Sequence, residues 1–359
     1  MTPLLHRLRR PPSPSRNAAI RTPRLLAAGA SVFLFLGCGS DGASEASAGQ
    51  DSGREGGAPE DVQAVQGGQA VDTIRVEFPT LQDIEAFFDE VGYGPEHWAA
   101  GVREIPRMYV TQVGERWNQR ANDELQVQAK KRIFFRAIAP LALHSNELIR
   151  AERERLLALP ESGALSEEDR AWLAELAGDY GVEVPGGDGG DDADPAAWDA
   201  VRDELAVRVD EVPVSLAIAQ AANESGWGTS RFAGEGNALF GQWSFGGSGM
   251  LPEEQRSSLG DYGVASFETP LLSVMAYMRN LNTHNAYAPL REIRAEARAA
   301  GEQPRGLDLA RGLIRYSERG QAYVDEIQQL LRFNRLEDTD LTYLAPGPVY
   351  LVLPVDEGA

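Results

Sequence analysis

The amino-acid sequence predicts a mostly α protein of the α+β class, a helical domain with a small β-lobe or hairpin. Apolar residues recur at helical spacing, most clearly Leu271, Val274, Met275, Met278 and Leu281, which share one face of a core helix. Helix start signals punctuate the chain, as in Ser166 with Asp169 and Thr269 before Pro270. After Phe245 the pattern changes to glycines, turn residues and short apolar pieces up to Phe267, which reads as the lobe.

Taken in order, residues 1–38 read as a lipoprotein-type signal peptide. Six arginines between Arg7 and Arg24 form a basic start, and Leu25 to Leu36 is an apolar run too short for a comfortable membrane span. It ends in Phe35-Leu36-Gly37-Cys38, which resembles a lipobox with Phe35 in place of the usual leucine. Cys38, the only cysteine, is the expected lipidation site, giving an exported, membrane-anchored lipoprotein that faces the periplasm or cell envelope. Residues 39–70 are a disordered acidic Gly/Ser linker.

Residues 71–185 form an N-terminal helical part. Asp72 to Phe78 alternates and suggests a short strand. Thr80 with Asp83 caps a helix over 81–91 that Gly92 ends. The structure of 103–119 stays open. Gln126 to Leu159 is a long helical stretch that Pro140 kinks or divides. Ser166 starts another helix, running to about Gly181. Residues 186–195 are a flexible acidic loop, read as solvated rather than calcium-binding because its aspartates are irregularly spaced. Asp194-Pro195 opens helix 196–209, and the domain continues to about 335. The tail, 336–359, is apolar and proline-broken and reads as an extended strand against the domain.

Composition excludes several function classes. A net charge of −20 argues against nucleic acid and against a basic lipid-binding patch. With one cysteine and four scattered histidines, no Cys/His zinc cluster can be assembled, so no metal and no cofactor is expected.

The most informative stretch is 211–245. Pro213 opens a helix, Val214 to Ala222 makes it apolar on most sides, and Gly226 and Gly228 stop it. Glu224 stands at the break. An acid at the end of a buried helix carries a desolvation cost unless something uses it, although a glutamate there is also commonly solvated or part of a cap. Asn223, Trp227, Arg231, Gln242 and Trp243 supply amide, cationic and aromatic surface close by, the composition of a sugar site. Glu235 lies between glycines in the same motif and ranks behind Glu224.

The run AQAANESGWGTSRFAGEGNALFGQW resembles the core motif of the bacterial Bax-like proteins of the glucosaminidase domain superfamily, akin to glycoside hydrolase family 73. The resemblance continues through SVMAYMRNLNTHNAY at 273–287 and YSERGQAYV at 316–324. It implies a lysozyme-like helical fold and hydrolysis of peptidoglycan glycan, with Glu224 as general acid and Tyr316, the tyrosine that opens the family's Y-S/A-T/E motif, as a second catalytic residue that would orient the acetamido group of the −1 sugar. It also favours a cleft wall carrying Asn282, His284 and Tyr287, a cluster that the sequence alone reads equally as a cap. His284 is weighed as a base against the usual structural role of an isolated histidine. Phe134, Phe135, Pro140, Asn146, Ile149 and Arg153 match a further family pattern and are read as packing residues.

The expected partner is peptidoglycan or another N-acetylglucosamine-containing glycan. A second carboxylate is sought in or beside the lobe, where Asp261 and Glu268 stand out ahead of Glu253 and Glu254; an acetamido group of the substrate would serve as an alternative nucleophile. The rival readings are a muramidase or lytic transglycosylase, and a non-catalytic glycan-binding lipoprotein.

Overall fold

The computed structural model describes residues 72–353, apart from 79–80, 115–116, 118–124, 161–164, 185–194, 246–248 and 252–261. The expected signal peptide with Cys38, the linker, nearly all of the acidic loop and the candidate carboxylates Glu253, Glu254 and Asp261 lie outside the described residues.

Strand β1 (Thr73–Glu77) leads into α1 (Leu81–Glu90), α2 (Pro95–Ala99) and β2 (Glu104–Val110). Then follow α3 (Val127–Ala158), α4 (Glu167–Asp179), α5 (Pro195–Arg208), α6 (Val214–Ser225) and α7 (Arg231–Gly236). The lobe pairs β3 (Trp243–Phe245) with β4 (Tyr262–Val264) in antiparallel register. The chain closes with α8 (Pro270–Thr283), α9 (Ala288–Ala299), α10 (Gly306–Leu309), α11 (Gln321–Phe333) and β5 (Tyr343–Leu353). Among the described residues the fold is mostly α with two small sheets; the α+β class and the lobe are as the sequence predicts, and the three-stranded sheet is not part of that expectation.

The middle of the tail, Tyr343–Leu353, is an interior strand. β5 lies between β1 and β2 and runs parallel to both. Residues before and after the helical body therefore share one sheet. The register slips between Ile105 and Arg107, where Pro106 has no N–H to offer and the Pro346-Gly347-Pro348 run of β5 bulges opposite it. Arg107 fills the gap by donating from Nε to the carbonyl of Ala345 at 3.1 Å. Residues 103–119 thus include a buried strand. Prolines in both partners hide it from a local pattern reading.

Pro140 does not divide its helix. α3 continues through it for 32 residues. Ile138, Leu141 and Leu143 around it are buried in the core, and that packing offsets the hydrogen bond that proline removes.

Helix α6 is the axis of the molecule, with every residue from Val214 to Ala222 buried. Asn146 of α3 clamps the chain just ahead of it: its Nδ2 donates to the carbonyl of Val212 at 2.8 Å and its Oδ1 accepts from the Val212 amide at 3.0 Å. Asp340 then supplies from a distance the cap that Pro213 lacks. Its Oδ1 accepts from the Ser215 amide and its Oδ2 from the Ser215 hydroxyl, both at 2.8 Å. Arg294, fully buried on α9, donates to the carbonyls of Val207 and Arg208 at the end of α5 and to those of Asp210 and Glu211. A second, smaller core joins the end of α3 to α4 and α5 through Leu156, Leu173, Tyr180, Trp198 and Leu205.

Candidate active site

Helix α6 ends in an enforced break. Gly226, Trp227 and Gly228 take φ values of 59°, 65° and 77° in succession, a left-handed run that suits glycine and strains tryptophan. Several contacts hold Trp227 there. Its amide donates to the carbonyl of Ala222 at 3.0 Å, and its own carbonyl accepts from Trp117 Nε1 at 3.1 Å. Its ring packs against Phe134 and Phe135, with the Lys131 ammonium 4.5 Å from the ring centre. A Cβ at Gly228 would lie 3.1 Å from Trp117 and 3.3 Å from Phe134, a tight fit added to the strain of its left-handed φ of 77°. Ser225 ties the turn together, donating to the Ala221 carbonyl at 2.6 Å and accepting from the Gly228 amide at 2.8 Å.

Glu224, next to this turn, is thereby fixed. Its Oε1 accepts from the Tyr323 hydroxyl at 2.8 Å and from Asn223 Nδ2 at 3.1 Å. Burial pushes the carboxyl up to about 7, against the opposing pull of those two bonds and of the Arg319 charge. Glu326, paired with Arg319, adds to the upward shift.

Behind Tyr323 lies a buried chain of polar groups. Gln220 donates from Nε2 to the Tyr323 oxygen at 2.9 Å, and its Oε1 accepts from the Tyr277 hydroxyl at 2.6 Å. Tyr277 stacks on Phe240 with ring centres 3.8 Å apart. A row of rings runs the other way. Tyr316 stacks on Tyr323 at 5.2 Å, Tyr287 meets Tyr316 at 5.6 Å, and His284 meets Tyr287 at 5.7 Å. Burial and the nearby Glu224 charge raise the hydroxyl pKa of Tyr277, Tyr287, Tyr316 and Tyr323. Partial desolvation of its ring, then the charges of Arg291 and Arg315, lowers the imidazole pKa of His284, which reaches the surface.

The structure thus gathers Glu224, Asn223, Tyr316, Tyr287 and His284 along one line of contacts. The hydroxyl on Glu224 belongs to Tyr323, while Tyr316, only 2 % exposed, backs the Tyr323 ring. The other sequence-predicted residues are placed differently. Asn282 is fully buried, donates to the carbonyl of Asp210 and accepts from Arg294, so it serves the α5–α6 connection. Arg231 pairs with Glu235 and donates to the Leu251 carbonyl. Trp243 lies half-buried on β3. Gln242 precedes it, with its Oε1 buried and lacking a hydrogen-bond partner among the described residues. Glu268 is exposed, and its carbonyl accepts from Asn237.

Tyr323 has the spacing of a core residue in the last helix, and the sequence does not single out Gln220 or Tyr277. Gln220 carried a signal: a polar side chain in an apolar run, one turn before Glu224 and on the same face. A pocket of about 490 Å³ lies at the opposite end of α6, between Val214, Arg298 and Asp340.

Comparison with known proteins finds matches over the part of the chain that carries this site. Residues 203–336 match the glucosaminidase family, described as mannosyl-glycoprotein endo-beta-N-acetylglucosaminidase. That segment contains Gln220, Glu224, Tyr277, Tyr316 and Tyr323. The chain is 33% identical over 195 residues to Protein bax of Escherichia coli (strain K12). The match covers 54% of this chain and 66% of that relative. No solved structure matches the chain. Residues 203–336 are thus similar to the glucosaminidase family, and the chain resembles Protein bax over a stretch that spans a little less than two thirds of that relative.

Proposed function

We propose that the chain is an exported endo-β-N-acetylglucosaminidase that cuts peptidoglycan glycan strands, with Glu224 as the general acid. The observation that carries this reading is the state of Glu224. It is a carboxyl held at an enforced helix end, with one oxygen occupied by two donors and its pKa raised to about 7. Such a group keeps a proton near neutral pH and can give it to a glycosidic oxygen as the bond breaks. The acetamido group of the −1 sugar is the proposed nucleophile, because one protein carboxylate then suffices. Tyr316 and Tyr287 take part by packing the hydroxyl of Tyr323 in place. The relatives' family name supports the sugar, and the expected signal peptide supports peptidoglycan as its source.

Dye release from labelled sacculi tests the role of Glu224. Glu224→Gln keeps the shape and loses the transferable proton, so the rate should fall about 10²-fold or more with the fold retained. Equal rates would remove Glu224 from the mechanism. Anchoring at Cys38 is part of the proposal: palmitate label should enter the wild type and not Cys38→Ser, and an unlabelled wild type would count against it.

A further inference from the structure

We infer that Tyr277 and Gln220 are positioning residues that aim the Tyr323 hydroxyl proton at Oε1 of Glu224, and so keep Oε2 for the proton that is transferred. The inference rests on the reading of Glu224 as an acid and goes one step further, to which oxygen carries the proton and what decides it.

The argument follows the donors. An amide oxygen only accepts and an amide NH₂ only donates. With Tyr277 at 2.6 Å from Oε1 of Gln220, the Tyr277 hydroxyl must donate to it. Gln220 Nε2 then donates to the Tyr323 oxygen at 2.9 Å, which leaves the single Tyr323 proton to point along the 2.8 Å contact to Glu224. Asn223 adds a second donor to the same oxygen at 3.1 Å. An oxygen receiving two donors is the unprotonated one of a carboxylic acid, so the acid proton sits on Oε2.

The opposite amide orientation gives the opposite result. Gln220 would then offer its NH₂ to Tyr277 and its oxygen to Tyr323. Tyr323 would turn its proton inward, and Glu224 could meet it only by donating from Oε1. The buried Tyr277 selects between the two states. Its ring is stacked on Phe240, and its hydroxyl needs the Gln220 oxygen as acceptor. Tyr277 is thus a lock that acts on Glu224 through two intervening side chains. The other charged or titratable groups around Glu224 are Arg319 and Glu326, with Tyr287 and Tyr316 behind Tyr323. None of them is altered by the variants that follow.

The test uses Tyr277→Phe, which keeps the ring and its stacking and never touches Glu224, beside Tyr323→Phe, which removes the donor itself. Carboxyl-labelled glutamate followed by ¹³C NMR reports the titration of Glu224, with Glu224→Gln identifying its resonance. Loss of a hydrogen bond to the charged form raises the midpoint, so both variants should move it up by about one unit. The pH at which activity is lost on the alkaline side should move with it, and kcat should fall with KM little changed. Gln220→Met should behave like Tyr277→Phe. A Tyr277→Phe midpoint equal to wild type, in a protein of unchanged thermal stability, overturns the inference. Midpoints that move in a protein inactive on every glycan tried would uphold the relay while removing the glycosidase reading. Unmoved midpoints beside a Glu224-dependent activity would do the reverse.

Discussion

At the scale of the residue, Glu224 links stability to pH. Its ordinary carboxyl value is 4.5, and burial raises it to about 7 in the folded chain. Between those values the folded protein holds a proton that the unfolded chain has released. The stabilisation from this group is therefore complete below 4.5 and lost as pH rises through about 7. Glu224→Gln carries no such charge at any pH. Its stability relative to wild type should improve on going from pH 4.5 to about 8, by up to about 3 kcal/mol. Urea unfolding at the two pH values measures this, and a difference that does not vary with pH would mean that Glu224 titrates normally. Its identity as a candidate was legible, because a lone acid ended an apolar helix. Its partner was not. Tyr323 falls in the stripe with Val324, Ile327 and Leu331, and its hydroxyl meets a carboxylate 99 positions away in the chain.

At the scale of the element, everything depends on where α6 begins and ends. Arg294 matters most at the beginning: fully buried, it binds four backbone carbonyls between Val207 and Glu211 and lies beside the buried Asp210 carboxylate. Arg294→Met would take a donor from each of those carbonyls, leaving the Asp210 carbonyl with Asn282 alone and that of Arg208 with the Asp210 amide, and would leave the Asp210 carboxylate short of one cation. It should cost about 3 kcal/mol or more, readable as a lower urea midpoint, and a loss below about 1 kcal/mol would show that the α5–α6 connection holds without it. Helices α6 and α8 are legible because their signals are local: Pro213 and Gly226 bound the first, and Thr269, whose hydroxyl accepts from the Leu272 amide, opens the second. The sheet was only half legible. Asp72 to Phe78 alternates and was expected as a strand, but β2 stayed open because Pro106 breaks its pattern. The pairing of Arg107 with Val349 joins residues that no window of sequence spans.

At the scale of the whole molecule, β5 draws the flanks of the glucosaminidase segment together. β1 and β2 lie before residue 203 and β5 after residue 336, and they form one sheet whose buried residues belong to the same core as α6. The net charge of −20 suits a domain with a neutral or weakly charged glycan as partner better than one with a polyanion. The central claim, that this chain hydrolyses glycan after N-acetylglucosamine, is tested most directly by the ends it creates. Purified sacculi are digested, the products reduced with borohydride, and the fragments weighed by mass spectrometry. The account predicts reduced N-acetylglucosamine at the new ends, absent when Glu224→Gln is used. Reduced N-acetylmuramic acid or 1,6-anhydro ends would contradict it, the first by indicating a muramidase and the second a lytic transglycosylase. Intact strands would leave a glycan-binding protein.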